Sequence, residues 1–245
     1  MYGAICVSYN FYIMGQFSRL TISVPQVNQV FQTNSKPTTK AANIALLREI
    51  NRKYGAMAEK WGDVFEIEKG ILIAFIATES GGKADITSFV GCCYGLMQVS
   101  PEAVWECANK FKSITGIELP STVRAELSKI PNIFSRSLTS STKSAIRNKL
   151  FDPNFNIMSG TMILRWLLER FSTLLTGAQL NKAIIGYNAG AYTKSINTQG
   201  KPNKVPIDTT TLVKMPTVPK ETKGYLVKML GVDGFVSLIY KDNAI

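Results

Sequence analysis

The stretch TESGGKADITSFVGCCYGLMQ, residues 78–98, gathers side chains that could do chemistry: Glu79, Ser88, and the adjacent Cys92 and Cys93. Glu79 closes an apolar run and precedes Gly81-Gly82. A glutamate held neutral near neutral pH by apolar surroundings can protonate the leaving oxygen of a glycosidic bond. Ordinary glycosidases add a second carboxylate, as nucleophile or to position water. Between Asp85 and Glu102 the chain has no acidic residue, so this loop does not supply one.

Other chemistries are excluded by composition. The chain has no histidine, which rules out a Ser-His-Asp triad, a Cys-His protease and a His-Cys zinc site. Its four cysteines, at 6, 92, 93 and 107, lack the spacing of a disulfide framework. Neighbouring cysteines rarely bridge because the geometry is strained. With no histidine or cationic residue beside them in sequence, Cys92 and Cys93 read as packing or accidental residues rather than reactive ones.

Glu79 depends on the segment before it. In DVFEIEKGILIAFIATES, Asp63 and Glu66 have capping-box spacing, and Ile67, Ile71, Ala74, Phe75 and Thr78 recur at helical steps. This predicts a helix that buries one face and carries Glu79 at its C-terminal end. Partial negative charge at that end, together with burial, raises the pKa of the carboxyl. A preceding amphipathic helix, AANIALLREINRKYGAMAEKWG, places Ile44, Leu47, Ile50 and Tyr54 on one stripe.

After GLMQV, Ser100 is expected to cap a helix with Pro101 at its first position. FNIMSGTMILRWLLERFSTLL predicts an amphipathic to fully buried helix, and GAQLNKAIIGYNAGAY a shorter one ended by Gly190. PKETKGYLVKMLG closes the domain as a helix. Residues 112–150, rich in serine and lysine, read as an insertion or lid with short helical pieces, and residues 193–218 as a long loop.

The 245 residues, 45% apolar and 18% charged, suit one main globular domain. An arm and linker over 1–40, the domain over 41–235 with an insertion at about 106–150, and a tail over 236–245 are expected. Residues 1–16 are apolar but lack the basic start and unbroken core of a secretory signal. No run of about 18 apolar residues offers a membrane span. The net charge of +11 favours an anionic partner. Nucleic acid is the minor reading, because no zinc-finger or RNA-recognition signature occurs and aromatics are not interleaved with the lysines.

Taken in order, ES at 79–80, Ser88, GLMQ at 95–98, DPxxNIxxG at 152–160, GYNAG at 186–190 and ETKGYLVKML at 221–230 resemble the soluble lytic transglycosylases. These are lysozyme-like enzymes that cleave bacterial peptidoglycan. The resemblance runs over about residues 60–232 and leaves out the arm and residues 106–150. It implies a mainly α-helical fold of the goose-type lysozyme and lytic transglycosylase kind, with an N-terminal extended arm and an inserted loop or lid.

By the same resemblance Glu79 is the sole catalytic acid/base and Ser88 assists at the glycan. Met97 and Gln98 line the groove, Tyr187 and Asn188 contact the sugar, and Glu221 supports the active-site network. No metal and no cofactor is implied; the partner is the peptidoglycan glycan strand. The segment from Glu79 to Gly95 is one residue longer than the family's usual spacing, and Lys223 stands where the family often has arginine.

A transglycosylase needs one carboxylate, since the muramoyl 6-hydroxyl attacks its own anomeric carbon and the glutamate then recovers that proton. Cleavage of the MurNAc-GlcNAc β-1,4 bond with a 1,6-anhydro product is therefore favoured over goose-type hydrolysis, whose family carries aspartates where this chain has SFVGCCY. A non-catalytic wall-binding or virion structural protein is the reading from another class. The absence of a signal, the arm and the insertion point to a phage lytic or virion enzyme acting on the cell wall.

Overall fold

In the computed structural model, which describes residues 37–171, 177–194, 196–198, 201–202 and 213–245, the domain opens with helix α1 (Pro37–Phe65). The helix starts four residues before the expected boundary at Ala41. Residues 1–36 of the expected arm, and 203–212 of the expected long loop, lie outside the described residues. Helix α1 buries Leu47, Ile50, Ala58, Trp61 and Phe65.

The capping box expected at Asp63 and Glu66 does not form. Helix α1 continues through both Gly62 and Asp63, and Glu66 takes φ +54° in the turn that follows. The chain doubles back there: Ile67 N–H donates to Gly62 O at 2.8 Å. A Cβ at position 62 would lie 2.4 Å from Ile67 O, so glycine permits the reversal. Helix α2 (Lys69–Glu79) therefore begins at Glu68, which makes no side-chain cap.

Helix α2 is buried on every side, not on one face: each residue from Gly70 to Thr78 is withdrawn from solvent. It packs against α1 and against two C-terminal helices, α8 (Lys220–Leu230) and α9 (Phe235–Asp242). At about 1.5–3 kcal/mol for each large aliphatic or aromatic side chain buried, the KGILIAFIATE sequence leaves Glu79 with little choice of position. The residues expected as a tail thus form α9, because Phe235, Val236, Leu238 and Ile239 are core.

Ser100 caps α3 (Pro101–Thr115) as the sequence predicts. Its side chain accepts from Ala103 N–H, and Pro101 occupies the first turn, where no intrahelical donor is needed. Helix α4 (Ser121–Leu127) and helix α5 (Ser140–Lys149) follow. Val123, Leu127, Ile130, Ile133, Ile146 and Leu150 belong to the hydrophobic core, and α5 packs on α3. The segment expected as a lid is therefore an integral helical layer.

Helix α6 (Pro153–Phe171) runs through the centre, packed against α1, α3 and α7 (Gly177–Ala189). Asp152 Oδ1 caps it by accepting from Phe155 N–H at 2.7 Å, with Pro153 in the first turn. Gly190, at φ +91°, ends α7. A two-residue antiparallel pair, β1 (Asn197–Thr198) with β2 (Lys201–Pro202), follows. The architecture is mainly α, as expected from the sequence, and none of its described helices is long and apolar enough to cross a membrane.

Candidate active site

Glu79 is the last residue of α2, and Gly81 and Gly82, at φ +60° and +80°, turn the chain away behind it. Thr78 and Ser80 hydroxyls donate to the helix carbonyls of Ala74 and Ile76, at 2.8 and 3.1 Å. Helix α8 supplies two groups to this end. Tyr225 Oη donates to Glu79 Oε1 at 2.7 Å, and Lys228 Nζ donates to Thr78 O at 2.8 Å. Three residues apart, Tyr225 and Lys228 share one helix face.

These contacts act against the burial of the carboxyl. Burial dominates and pushes Glu79 up to about 7; the Tyr225 hydrogen bond and the Lys228 charge lower it, and the Glu221 charge raises it. A carboxylic acid is therefore kept protonated at the pH where a glycosidic oxygen would need its proton.

The loop opposite, GLMQ at 95–98, is fixed to the first turns of α6. Asn156 is fully buried. Its Nδ2 donates to Tyr94 O and Leu150 O at 2.8 and 2.7 Å, while its Oδ1 accepts from Met97 N–H at 2.8 Å. Gly95, at φ +73°, lies so close that a Cβ would sit 2.4 Å from Asn156 Nδ2. One turn along α6, Gly160 leaves room for Met97, whose Sδ would be 2.5 Å from a Cβ there. The DPxxNIxxG motif thus combines a helix cap with a socket for the loop.

Seated this way, the Met97 side chain is fully buried and does not line the groove, contrary to the expectation from sequence. Its carbonyl instead accepts from Tyr187 Oη at 3.0 Å. The Tyr187 ring packs edge-on against Phe75 of α2, centroids 5.0 Å apart. Gln98 takes φ +46°, a conformation uncommon for a residue with a Cβ. Its Nε2 donates to Gly95 O at 2.8 Å. Gln98 and Tyr187, with Cys93, Glu102, Glu106 and Trp166, line a cleft of about 300 Å³.

Ser88 begins the turn that bears the cysteines. Its Oγ accepts from the N–H groups of Cys92 and Cys93 at 3.2 and 3.1 Å, and its own N–H donates to Cys93 O at 2.8 Å. Phe89 and Val90, at the tip, are exposed. Asn188 Oδ1 accepts from Thr222 Oγ1 at 2.7 Å, tying α7 to α8. Glu221 lies exposed in the first turn of α8 and reaches Glu79 through its charge.

The Glu79 charge thus reaches both Tyr187 and Cys93, which line one cleft with Gln98. Sequence reasoning missed Tyr225, Lys228, Thr222 and Asn156. Tyr225 had a signal, since it stands one helical turn after Glu221 in ETKGY; Asn156 stood inside a recognised motif without an assigned task.

Residues 131–207 match the family model described as the transglycosylase SLT domain. The match takes in residues 131–150, which the motif resemblance leaves out, and does not extend to Glu79. No curated protein matches the chain. Among solved structures, the 70 kDa soluble lytic transglycosylase of Escherichia coli is similar, with a TM-score of 0.52 and 22% identity over 78% of this chain. The chain spans 25% of that protein's length. At that identity the likeness concerns the fold, which is lysozyme-like as the sequence implied.

Three outcomes are expected. A carboxyl whose pKa rises from 4.5 to about 7 on folding costs stability as pH climbs through that window, about 3 kcal/mol in all; Glu79→Gln should flatten this fall in denaturant titrations. Tyr225→Phe removes a bond that favours the ionised carboxyl, so the Glu79 midpoint, followed by carboxyl NMR, should move to higher pH. Asn156→Ala strands the buried Met97 N–H and Leu150 O, while Tyr94 O keeps the Val99 N–H, and should cost about 2 kcal/mol or more in unfolding free energy.

Proposed function

We propose, from an SLT-domain match over residues 131–207 and a lysozyme-like fold, that this chain is a peptidoglycan lytic transglycosylase. The observation that carries the reading is Glu79, kept protonated up to about pH 7 by burial and oriented by Tyr225 at 2.7 Å. Glu79 donates its proton to the oxygen of the MurNAc-GlcNAc β-1,4 bond as the bond breaks, and positive charge develops at the anomeric carbon. The resulting carboxylate is stabilised by the Tyr225 hydroxyl and by the Lys228 charge, both of which favour the ionised form. It then takes the proton of the muramoyl 6-hydroxyl, which closes on the same carbon to give the 1,6-anhydro product.

Attack from within the same sugar supplies the nucleophile by proximity and requires no activated water. The absence of carboxylates between Asp85 and Glu102 supports this over hydrolysis, because the Ser88–Cys93 turn offers no carboxylate to activate a water. Ser88, Gln98, Tyr187 and Asn188 are the groups we assign to the glycan, Met97 supporting them from beneath. Hydrolysis by a goose-type route would have to draw its second carboxylate from Glu221, whose charge reaches Glu79, or from Glu102 or Glu106, which line the adjoining cleft. The reading requires no metal or cofactor. We assign the enzyme to delivery by a phage, within the virion or at lysis; its presence in purified virions would bear this out, and a processed exported N-terminus would count against it.

Mass spectrometry of digested sacculi separates the two reactions, since anhydro and reducing muramic ends differ by one water. The expected result is anhydro ends from the native protein and loss of clearing by about a hundredfold or more in Glu79→Gln. Reducing ends would favour the hydrolase, and clearing by Glu79→Gln equal to that of the native protein would remove Glu79 from the chemistry.

A further inference from the structure

Cys92 and Cys93 have no part in the chemistry proposed for Glu79, yet their sulfurs lie 3.3 Å apart and the Glu79 charge reaches Cys93. Cys92 is exposed and Cys93 partly buried. Their placement is built: the Ser88 hydroxyl accepts from both N–H groups, and Gly91, at φ +69°, allows the tight turn between. Tyr94 Oη donates to Gly91 O at 2.8 Å and holds the turn from the other side. Cys93 also lines the cleft with Gln98 and Tyr187.

From this geometry we propose that Cys92 and Cys93 form a thiol–disulfide exchange site, closed by a small-molecule disulfide, whose closure disables the adjoining cleft. Cys92, the exposed partner, meets the reagent first. Its thiolate attacks one sulfur of RSSR, the S–S bond breaks, RS⁻ departs, and a mixed disulfide remains on Cys92. Cys93 then gives its proton to solvent and attacks the Cys92 sulfur, displacing the second RS⁻. Two protein S–H bonds become one S–S bond, and the small disulfide is reduced to two thiols.

Cys93 is the slower, resolving partner, because burial, Cys92 and the Glu79 charge push its thiol up to about 12. Adjacency offsets this, since the second step is intramolecular. Most disulfides span Cα separations of about 4.4–6.8 Å, whereas neighbouring Cα atoms stand about 3.8 Å apart across a trans peptide. Closure must therefore twist the 92–93 peptide. A strained, exposed disulfide is readily reduced, which makes the site reversible. The twist turns an N–H donor away from Ser88 Oγ and disturbs the cleft wall that Cys93 forms.

The effect on activity rests on the transglycosylase reading; the exchange chemistry does not. Reduced full-length protein is incubated with oxidised glutathione and read by intact mass, fragment-ion mapping that separates 92–93 from Cys6 and Cys107, and clearing of sacculi. Loss of two hydrogens at 92–93 is expected, with a fall in clearing of about tenfold or more and recovery in dithiothreitol. Cys93→Ser should stop at a glutathione adduct on Cys92, and Cys92→Ser should keep clearing sacculi in the presence of the disulfide. Free thiols persisting at both positions, or a closed pair with unchanged clearing, would overturn the proposal. Reduced protein that never clears sacculi would instead count against the transglycosylase reading, and the mass result would still decide the exchange.

Discussion

The site depends on the seating of one loop by one side chain. Asn156, buried near the start of α6, uses both ends of its amide to hold Tyr94, Leu150 and Met97 through their backbones. Met97 N–H and Leu150 O are buried polar groups that water cannot serve, so loss of the amide would leave both unpaired, while Tyr94 O keeps the Val99 N–H. It also explains why Gly95 and Gly160 stand where they do: each yields the space of a side chain to the junction between loop and helix. From that junction the Met97 carbonyl holds Tyr187, and Tyr187 in turn packs on α2 beneath Glu79.

On the other side of the carboxyl, α2 and α8 set a balance of opposing effects. Withdrawal of α2 from solvent on all sides favours the neutral acid, and Tyr225 and Lys228 favour the anion. Burial prevails, but only far enough to place the group near neutrality, where it can both give and recover a proton. Because both opposing groups come from a single face of α8, small shifts of that helix change position and proton affinity together.

Much of this was legible in the sequence where the cause is local. Ser100-Pro101 caps α3 by contacts within one turn, and Gly81, at φ +60° with open space around it, turns the chain at the end of the acid's helix through backbone freedom. What was misread depends on contacts between distant segments. The Asp63/Glu66 pattern has capping-box spacing, but the chain reversal over Gly62 sets the boundary instead. In residues 112–150 the abundance of serine and lysine hides Val123, Leu127 and Ile130, which supply core. Met97 was placed in the groove by resemblance, and only the packing of Gly160 against it reveals that its backbone, not its thioether, serves the site.

Gln98 gives the groove wall a direction. Its amide nitrogen is committed to the Gly95 carbonyl, and that network fixes which end of the side chain is nitrogen. That leaves the oxygen, which can only accept, to a ligand that would meet Gln98 in the cleft it lines. A sugar hydroxyl or acetamido N–H can satisfy it, whereas a ligand presenting a carbonyl or carboxylate oxygen there would set acceptor against acceptor. One left-handed backbone turn would thus set the polarity that this part of the cleft wall offers to a ligand.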